Sequence, residues 1–457
     1  MNRHRFITLA LLFLDIIATV IVFTFVAFLR GLPIHDELTF AALIVPILAI
    51  IIGLTLIDGY NPRTDMISVN YASQHMIALL AVMIGVLLLT YGIITSPFAL
   101  QSSRSVIVIS FVLLLPLTVA YRRLFYLRNL RFRGEQWVVF VGDAVSRELF
   151  KIECQQCRFN QPVIFCSSSP ETHPPIAGVD APALATLQSV LQEIETSHRS
   201  VEAIVLRETP KELTPAVTQK LVKLYFSGIP TYTLELFHEV YWRKVPIYRL
   251  NQIWLFQDGF RIAREPVFER IKRTIDIVLA TLGMLLTAPV LALAGLAIWV
   301  ESRGPVFFTQ TRIGKNQAPF RICKLRTMRP SASTALYTQP NDERVTRVGK
   351  ILRATRVDEF PQMWNVFIGD MSLIGPRAEW DRLVEGYEKK IPCYHFRHFV
   401  KPGITGWAQV NYPYGSSSAD TIRKLEYDLF YIRHLSFKLD ATIILKTIHV
   451  MLFAKGR

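Results

Sequence analysis

Apolar residues come in blocks along this chain. Four runs in the first 120 residues, at 6–29, 38–57, 76–94 and 106–120, are each near the ~20 residues that a helix needs to cross ~30 Å of hydrocarbon. The first is too long for a cleavable signal peptide and lacks its small-residue exit, so it is expected to stay as a span. The pattern then changes. A β-branched and aromatic run at 137–141 ends in Gly142-Asp143 and is followed by a helical stretch. Further strand candidates fall at 163–166 and 201–206, with a helix-like segment at 184–197. The alternation predicts a small parallel α/β domain that is Rossmann-like in its first strand and turn. A fifth apolar block, 275–300, contains Asp276 and Pro289. The expected division is a four-helix membrane region at 1–121, an α/β domain at 134–250 and a C-terminal domain at 266–457.

Charge decides how these blocks are arranged. Hydrophobic residues are 51% of the 457 and charged ones 19%, yet the formal net charge is +15. Apolar and basic segments are therefore segregated, as in a membrane protein with basic cytoplasmic parts. Arg3 and Arg5 precede the first run, and Arg122, Arg123, Arg128, Arg131 and Arg133 follow the fourth, which puts both ends of the bundle on the cytoplasmic side. Asp15 lies inside the first run. An acid at mid-helix costs ~2.5–3.5 kcal/mol on insertion scales, so a hydrogen-bonded contact to another helix is expected of it. The 275–300 block has Arg270, Lys272 and Arg273 before it and Arg303, Arg312 and Lys315 after it, which favours both ends on one face. Pro289 removes a helix hydrogen bond where a bend is needed, so a re-entrant helix broken at Pro289 is expected rather than a full span.

Two weaker signals point nowhere specific. Five cysteines, Cys154, Cys157, Cys166, Cys323 and Cys393, make no disulfide framework in a chain this long. Cys154 and Cys157 have CxxC spacing, but no second pair follows at a ligand spacing, so they read as ordinary helix cysteines. The turn at Gly142 holds one glycine where a pyrophosphate-binding turn has three, so dinucleotide binding is not expected in the middle domain.

Residues 312–401 carry 17 lysines and arginines against 9 acidic residues, a surface that attracts phosphates. No groove-reading helix or aromatic platform accompanies it, and the apolar block stands beside it, so nucleic acid is excluded in favour of anionic small molecules and lipid phosphates. The acidic exception is Asp358-Glu359, followed by Phe360 and Pro361. An Asp ahead of a proline-containing first turn reads as a helix N-cap, which would put both carboxylates at the positive end of a helix, where phosphate is also welcome. An ionised carboxylate beside Mg²⁺ is able to attack phosphorus and form an acyl phosphate. The plain alternative is a capping Asp with a first-turn Glu.

The surrounding text is more specific. In order along the chain stand Pro319-Phe320-Arg321-Ile322-Cys323-Lys324-Leu325-Arg326-Thr327-Met328, then Arg344-Val345-Thr346-Arg347-Val348-Gly349-Lys350-Ile351-Leu352-Arg353, then Asp358-Glu359-Phe360-Pro361-Gln362. Gly369-Asp370-Met371-Ser372-Leu373-Ile374-Gly375-Pro376-Arg377 and Lys401-Pro402-Gly403-Ile404-Thr405-Gly406-Trp407-Ala408-Gln409-Val410 follow. Together these motifs resemble the bacterial sugar transferases that load a sugar-1-phosphate onto a polyprenyl phosphate. The resemblance runs from Phe268 to the C-terminus, and the preceding spans and α/β domain are similar to the large polytopic version of that family. Asn411 to Gly415 and the stretch Lys424-Leu425-Glu426-Tyr427-Asp428 look like its exopolysaccharide branch, associated with exosortase systems.

The resemblance implies a mainly α-helical monotopic phosphoglycosyl transferase domain with a re-entrant membrane helix. It implies Asp358 as the nucleophile on the sugar-bearing phosphate of a UDP-sugar, Glu359 as its partner, and Lys324, Arg353 and Arg377 as phosphate-binding cations. Mg²⁺ would bridge Asp358 and the diphosphate, UMP would leave, and undecaprenyl phosphate would take the phosphosugar. The place is the cytoplasmic face of a bacterial inner membrane, among membrane lipids, and a homodimer suits so large a membrane-anchored basic domain. The alternative is a catalytically inactive membrane scaffold that regulates polysaccharide export. Three departures stand out: Ala378 where the family usually has proline after Arg377, Phe360 where leucine is more common, and Ala288 before Pro289 where some relatives have serine.

Overall fold

A computed structural model describes residues 3–31, 37–61, 64–90, 104–133, 136–157, 159, 161–167, 185–197, 200–207, 214–247, 266–329, 342–412, 415 and 417–453. The described chain is mostly helical and forms two compact units, Met1–Trp242 and Arg243–Arg457.

The first unit begins with four long helices, α1 (Arg3–Leu29), α2 (Glu37–Leu56), α3 (Val69–Leu88) and α4 (Arg104–Arg133). Helix α1 packs on α2 and α4, and α3 packs on α2 and α4. Outward positions such as Phe13, Ile21, Phe25 and Ile52 are apolar and exposed, as expected of helices whose solvent is lipid. Helices α1, α3 and α4 and the long helix of the second unit are each long and apolar enough to cross a membrane. Two helix limits differ from the apolar runs. Helix α3 starts at Val69, where Ser68 accepts a hydrogen bond from Tyr71 N, because the polar Ser73 and His75 turn inward and are buried. Residues 91–94 of the third expected run lie outside the described residues. Helix α4 continues through the arginine-rich stretch to Arg133.

The polar groups that turn inward meet one another. Arg122 Nη1 and Nη2 donate to Asp15 Oδ1 and Oδ2 at 2.8 and 2.6 Å. Tyr60 donates to the same carboxylate at 2.5 Å, Tyr121 also donates to it, and His75 is hydrogen-bonded to Thr118 at 2.8 Å. Asp15 is 1% exposed and Arg122 0%. A bidentate pair of this kind ties α1 to α4 with a fixed geometry.

Beyond α4, β1 (Trp137–Val141) leads into α5 (Ala144–Gln156), β2 (Val163–Ser167), β3 (Ala185–Thr186), α6 (Leu187–Ser197), β4 (Val201–Leu206), α7 (Pro215–Phe226) and β5 (Thr231–Thr233). The five strands form one parallel sheet in the order β3-β2-β1-β4-β5. Strand β1 shows the two-residue period. Val139 and Val141 face a core completed by α6 and α7, while Val138 and Phe140 face Phe150 and Cys154 of α5. Both faces are covered, which is why β1 reads as an unbroken apolar run. Asp143 caps α5 by accepting from Ser146 N at 2.7 Å. Cys154 and Cys157 form no disulfide, and burial pushes Cys154 up to about 12. Residue 184 of the expected helix lies outside the described residues.

The second unit contains α8 (Pro266–Glu301), the antiparallel hairpin β6 (Phe307–Ile313) and β7 (Pro319–Leu325), α9 (Arg347–Thr355) and α10 (Gln362–Ile368). Then come β8 (Ser372–Ile374), α11 (Asp381–Lys390), β9 (Gly403–Thr405), α12 (Ser418–Arg433) and α13 (Phe437–Leu452). Strands β8 and β9 pair in parallel. Trp407, Leu429, Tyr431 and Ile443 lie at the centre of the main core. Helix α8 is 36 residues long and continues through Pro289, where a break was expected. Its inner positions join two separate clusters, Ala280 with Ile322, Val366 and Met371, and Ala294 and Ile298 with Leu325 and Leu352. Between them Leu285 and Leu286 are 68% and 78% exposed.

Replacing Arg122 with methionine is expected to destabilise the first unit by about 3–5 kcal/mol, because it leaves the Asp15 charge buried and unpaired. Thermal unfolding in detergent, compared with a variant at the exposed Leu124, measures it.

Candidate active site

The site is built on a short stretch where the backbone turns abruptly. Helix α9 is capped by Thr346, whose hydroxyl accepts from Gly349 N at 2.9 Å. It ends at Arg356 in the left-handed region, with φ 60°. A 3₁₀ turn, Val357–Glu359, follows before α10 begins, and the N-cap of α10 is Pro361. Asp358 is therefore not the cap expected of it. The left-handed Arg356 inserts a separate turn and lifts both carboxylates off the end of α10.

That turn aims the two acids differently. Glu359 accepts from Lys324 Nζ of β7 at 2.9 Å, with Arg377 and Arg356 at 3.7 and 3.8 Å from the same oxygen. Burial works to raise its carboxyl, but the charges of Lys324, Arg377 and Arg356 outweigh this and hold it at about 2, against 4.5 for an ordinary glutamate. Burial pulls the Lys324 ammonium down, and Glu359 opposes that pull. Asp358 is 9% exposed, and its Oδ1 is buried without a hydrogen-bond partner. Burial and then the Glu359 charge raise it above the usual aspartate value, against Lys324, Arg353 and Arg356. One acid is fixed as an anion and the adjacent one is kept basic.

The supporting shell fixes the cations. Arg353 Nε donates to Thr327 Oγ1 at 2.8 Å, and α9 rests so close to β7 that a Cβ at Gly349 would lie 2.1 Å from the Thr327 carbonyl oxygen. Arg377 is held through its backbone. The buried Arg397 donates to the Arg377 carbonyl and to Asp428, both at 2.9 Å. Burial pushes Asp428 up to about 6. Arg312 donates to the Ala378 carbonyl at 3.2 Å, so hydrogen bonds on either side of Ala378 restrain a segment that lacks the usual proline.

Of the residues named from sequence, Asp358, Glu359, Lys324, Arg353 and Arg377 come together here. Pro289 lies apart, in the middle of α8. Sequence reasoning missed Arg356 as a third cation on Glu359, although it stands two residues before Asp358. It also missed Arg397, whose role depends on contacts twenty and thirty-one residues away that no local pattern reveals.

Residues 267–454 match the family model described as bacterial sugar transferase. The exopolysaccharide production protein PSS of Rhizobium leguminosarum bv. phaseoli is 40% identical over 186 residues, 39% of this chain and 93% of the relative. The chain belongs to the bacterial sugar transferase family. A second member of this family, the UDP-N-acetylgalactosamine-undecaprenyl-phosphate N-acetylgalactosaminephosphotransferase of Aeromonas hydrophila, is 40% identical over 238 residues, 52% of this chain and 55% of the relative. The UDP-glucose:undecaprenyl-phosphate glucose-1-phosphate transferase of Escherichia coli (strain K12) is 46% identical over 184 residues, 39% of each chain. The match thus spans about half or less of the length of these two relatives, and the site described here falls inside the matched family segment.

Glu359→Gln leaves Lys324, Arg356 and Arg377 to repel one another and is expected to cost on the order of 2 kcal/mol at neutral pH. A lowered carboxylate stabilises the fold above its unfolded value and loses that contribution as pH falls towards its folded value. The stability gap between wild type and variant is therefore expected to narrow from about pH 5 to about pH 2, as read by chemical unfolding across that range.

Proposed function

We propose that this protein transfers a sugar-1-phosphate from a UDP-sugar to undecaprenyl phosphate and releases UMP. The observation that carries this reading is the buried Asp358 carboxylate, with one oxygen left unpartnered, next to the cations that Glu359 gathers and under the charges of Lys324, Arg353 and Arg356. The names of the family relatives support the substrate class.

In the proposed reaction an Asp358 oxygen attacks the sugar-bearing phosphorus. The bond from that phosphorus to the oxygen bridging it to UMP breaks, and UMP departs with the electron pair. An oxygen of undecaprenyl phosphate then attacks the same phosphorus, and the Asp358 carboxylate leaves. Lys324, Arg353 and Arg377 take up the charge spread over the phosphoryl oxygens. Glu359 keeps Lys324 and Arg377 in position between turnovers. The raised Asp358 makes the better nucleophile once ionised, since basicity and nucleophilicity rise together.

The residues fit a bound Mg²⁺. No group of three or more metal-ligating acids, histidines or cysteines occurs among the described residues, and Mg²⁺ is ordinarily held by one or two carboxylates, water and substrate phosphates. Asp358 Oδ1 is the free protein oxygen for that role, and the ion would supply Lewis-acid neutralisation of the diphosphate.

We read the chain as a membrane bundle at 1–121, a Rossmann-like domain at 134–250 and a catalytic domain at 266–457, with the catalytic domain on the cytoplasmic face of a bacterial inner membrane. The arginines that close α4 support that orientation. We also read the 275–300 part of α8 as re-entrant. Arg273 near its start donates to the Phe367 carbonyl at 2.6 Å, and Glu301 at its end accepts from Arg347 N at 2.7 Å, so both ends bond to one unit. Between the two clusters that α8 joins, Leu285, Leu286, Val290 and Leu293 are exposed, as an apolar segment dipping into lipid would be.

The deciding experiment is a UMP-release screen over UDP-glucose, UDP-galactose and UDP-N-acetylgalactosamine with undecaprenyl phosphate and Mg²⁺. Asp358→Asn is expected to abolish release and the acid-labile phosphosugar adduct, and a labelled adduct persisting in that variant would remove Asp358 as nucleophile. UDP release in place of UMP would point to a transferase that moves sugar without phosphate. The acid limb of the wild-type rate profile is expected above the ~3.9 of an ordinary aspartate, because Asp358 must ionise to attack.

A further inference from the structure

Gln362, the first residue of α10, is 3% exposed, and its amide Nε2 is buried with no hydrogen-bond partner. It stands one turn beyond Asp358 and lines a cleft with Arg312, Lys324 and Arg377, walled by Ile322 and Met371. A glutamine reaches back to close a capping box from the third helical position, not from the first, so the helix itself gives this side chain no partner. Burying an amide donor without an acceptor costs folding free energy. Three cations beside it leave an anion as the natural acceptor.

The cleft leaves room for about one oxygen-sized group between its walls. It suits a single phosphate oxygen, with the remainder of a larger molecule outside. Apolar walls thin the water around the donors and strengthen each polar contact.

We propose that Gln362 is a further substrate-binding residue, whose amide N–H donates to a non-bridging oxygen of the sugar-bearing phosphate of a nucleoside diphosphate sugar, between Lys324 and Arg377. This rests on the nucleotide-sugar reading of the site. The orphaned donor is the cost that the free protein carries for being ready to receive the phosphate.

The test uses the full-length protein in detergent with Mg²⁺ and titrates UDP, inorganic pyrophosphate and uridine by calorimetry, for wild type, Gln362→Leu and Lys324→Met. Leucine removes the donor and fills most of the volume. Gln362→Leu is expected to weaken UDP and pyrophosphate by about 10- to 100-fold and leave uridine unchanged. Its ligand-free melting temperature is expected to equal or exceed wild type, since an unmet donor is gone; a merely structural glutamine would lower it.

Diphosphate affinities within about twofold of wild type, as when an ordered water already satisfies the amide, overturn the proposal. So does equal weakening of uridine, which would make Gln362 a reader of the base, and so does failure of wild type to bind either diphosphate. Pyrophosphate binding that depends on Lys324 and Gln362, with no UMP released from any UDP-sugar, would sink the reaction reading and leave the phosphate contact standing. Normal UMP release with unchanged kcat/KM in Gln362→Leu would sink the contact alone.

Discussion

Glu359 is the point at which three otherwise separate pieces of the second unit are held to one another. Lys324 comes from a strand, Arg356 from a left-handed corner and Arg377 from the segment after β8, and one carboxylate oxygen lies within 4 Å of all three. Cations this close repel strongly in a partly dehydrated setting. A single anion among them makes their grouping affordable, and it leaves a surplus of positive charge facing the cleft. The neighbouring Asp358 is excluded from that arrangement by one residue of backbone geometry. Its own environment then follows, a carboxylate near cations that are already claimed.

Much of this organisation was legible along the chain, because it rests on periodicity and on composition. Long apolar runs gave the helices of the first unit, and β-branched runs gave β1, β2 and β4, each near its expected position. The ordered motifs carried Lys324, Arg353, Asp358, Glu359 and Arg377 into one site. The failures have a common cause. Asp358 followed by Phe360 and Pro361 looks like a helix cap, and only the positive φ of Arg356, set by the surrounding packing, separates the acids from the helix. Residues 413 and 414, within the motif that runs to Gly415, lie outside the described residues.

The partners of buried polar groups were equally invisible. Asp15 was expected to reach another helix, yet nothing local names Arg122, 107 residues away, as the group that neutralises it. The same holds for Arg397, which governs Arg377 through a carbonyl rather than a side chain. Ala378 illustrates the converse. A proline, which the family usually has there, would stiffen the backbone by itself, and here hydrogen bonds to the carbonyls of Arg377 and Ala378 hold the segment instead. Sequence patterns record which atoms are present, and folding decides which of them are left over.

The close approach of Gly349 to Thr327 has a mechanical meaning. With no side chain at 349, the first turn of α9 lies directly against the end of the β-hairpin, and Thr346 N donates to the Thr327 carbonyl at 3.1 Å. Backbone touches backbone there, with no flexible arm between. The hairpin end and α9 are therefore joined main chain to main chain, so the backbones that carry Lys324 and Arg353 are rooted in one junction rather than in two side chains leaning on each other.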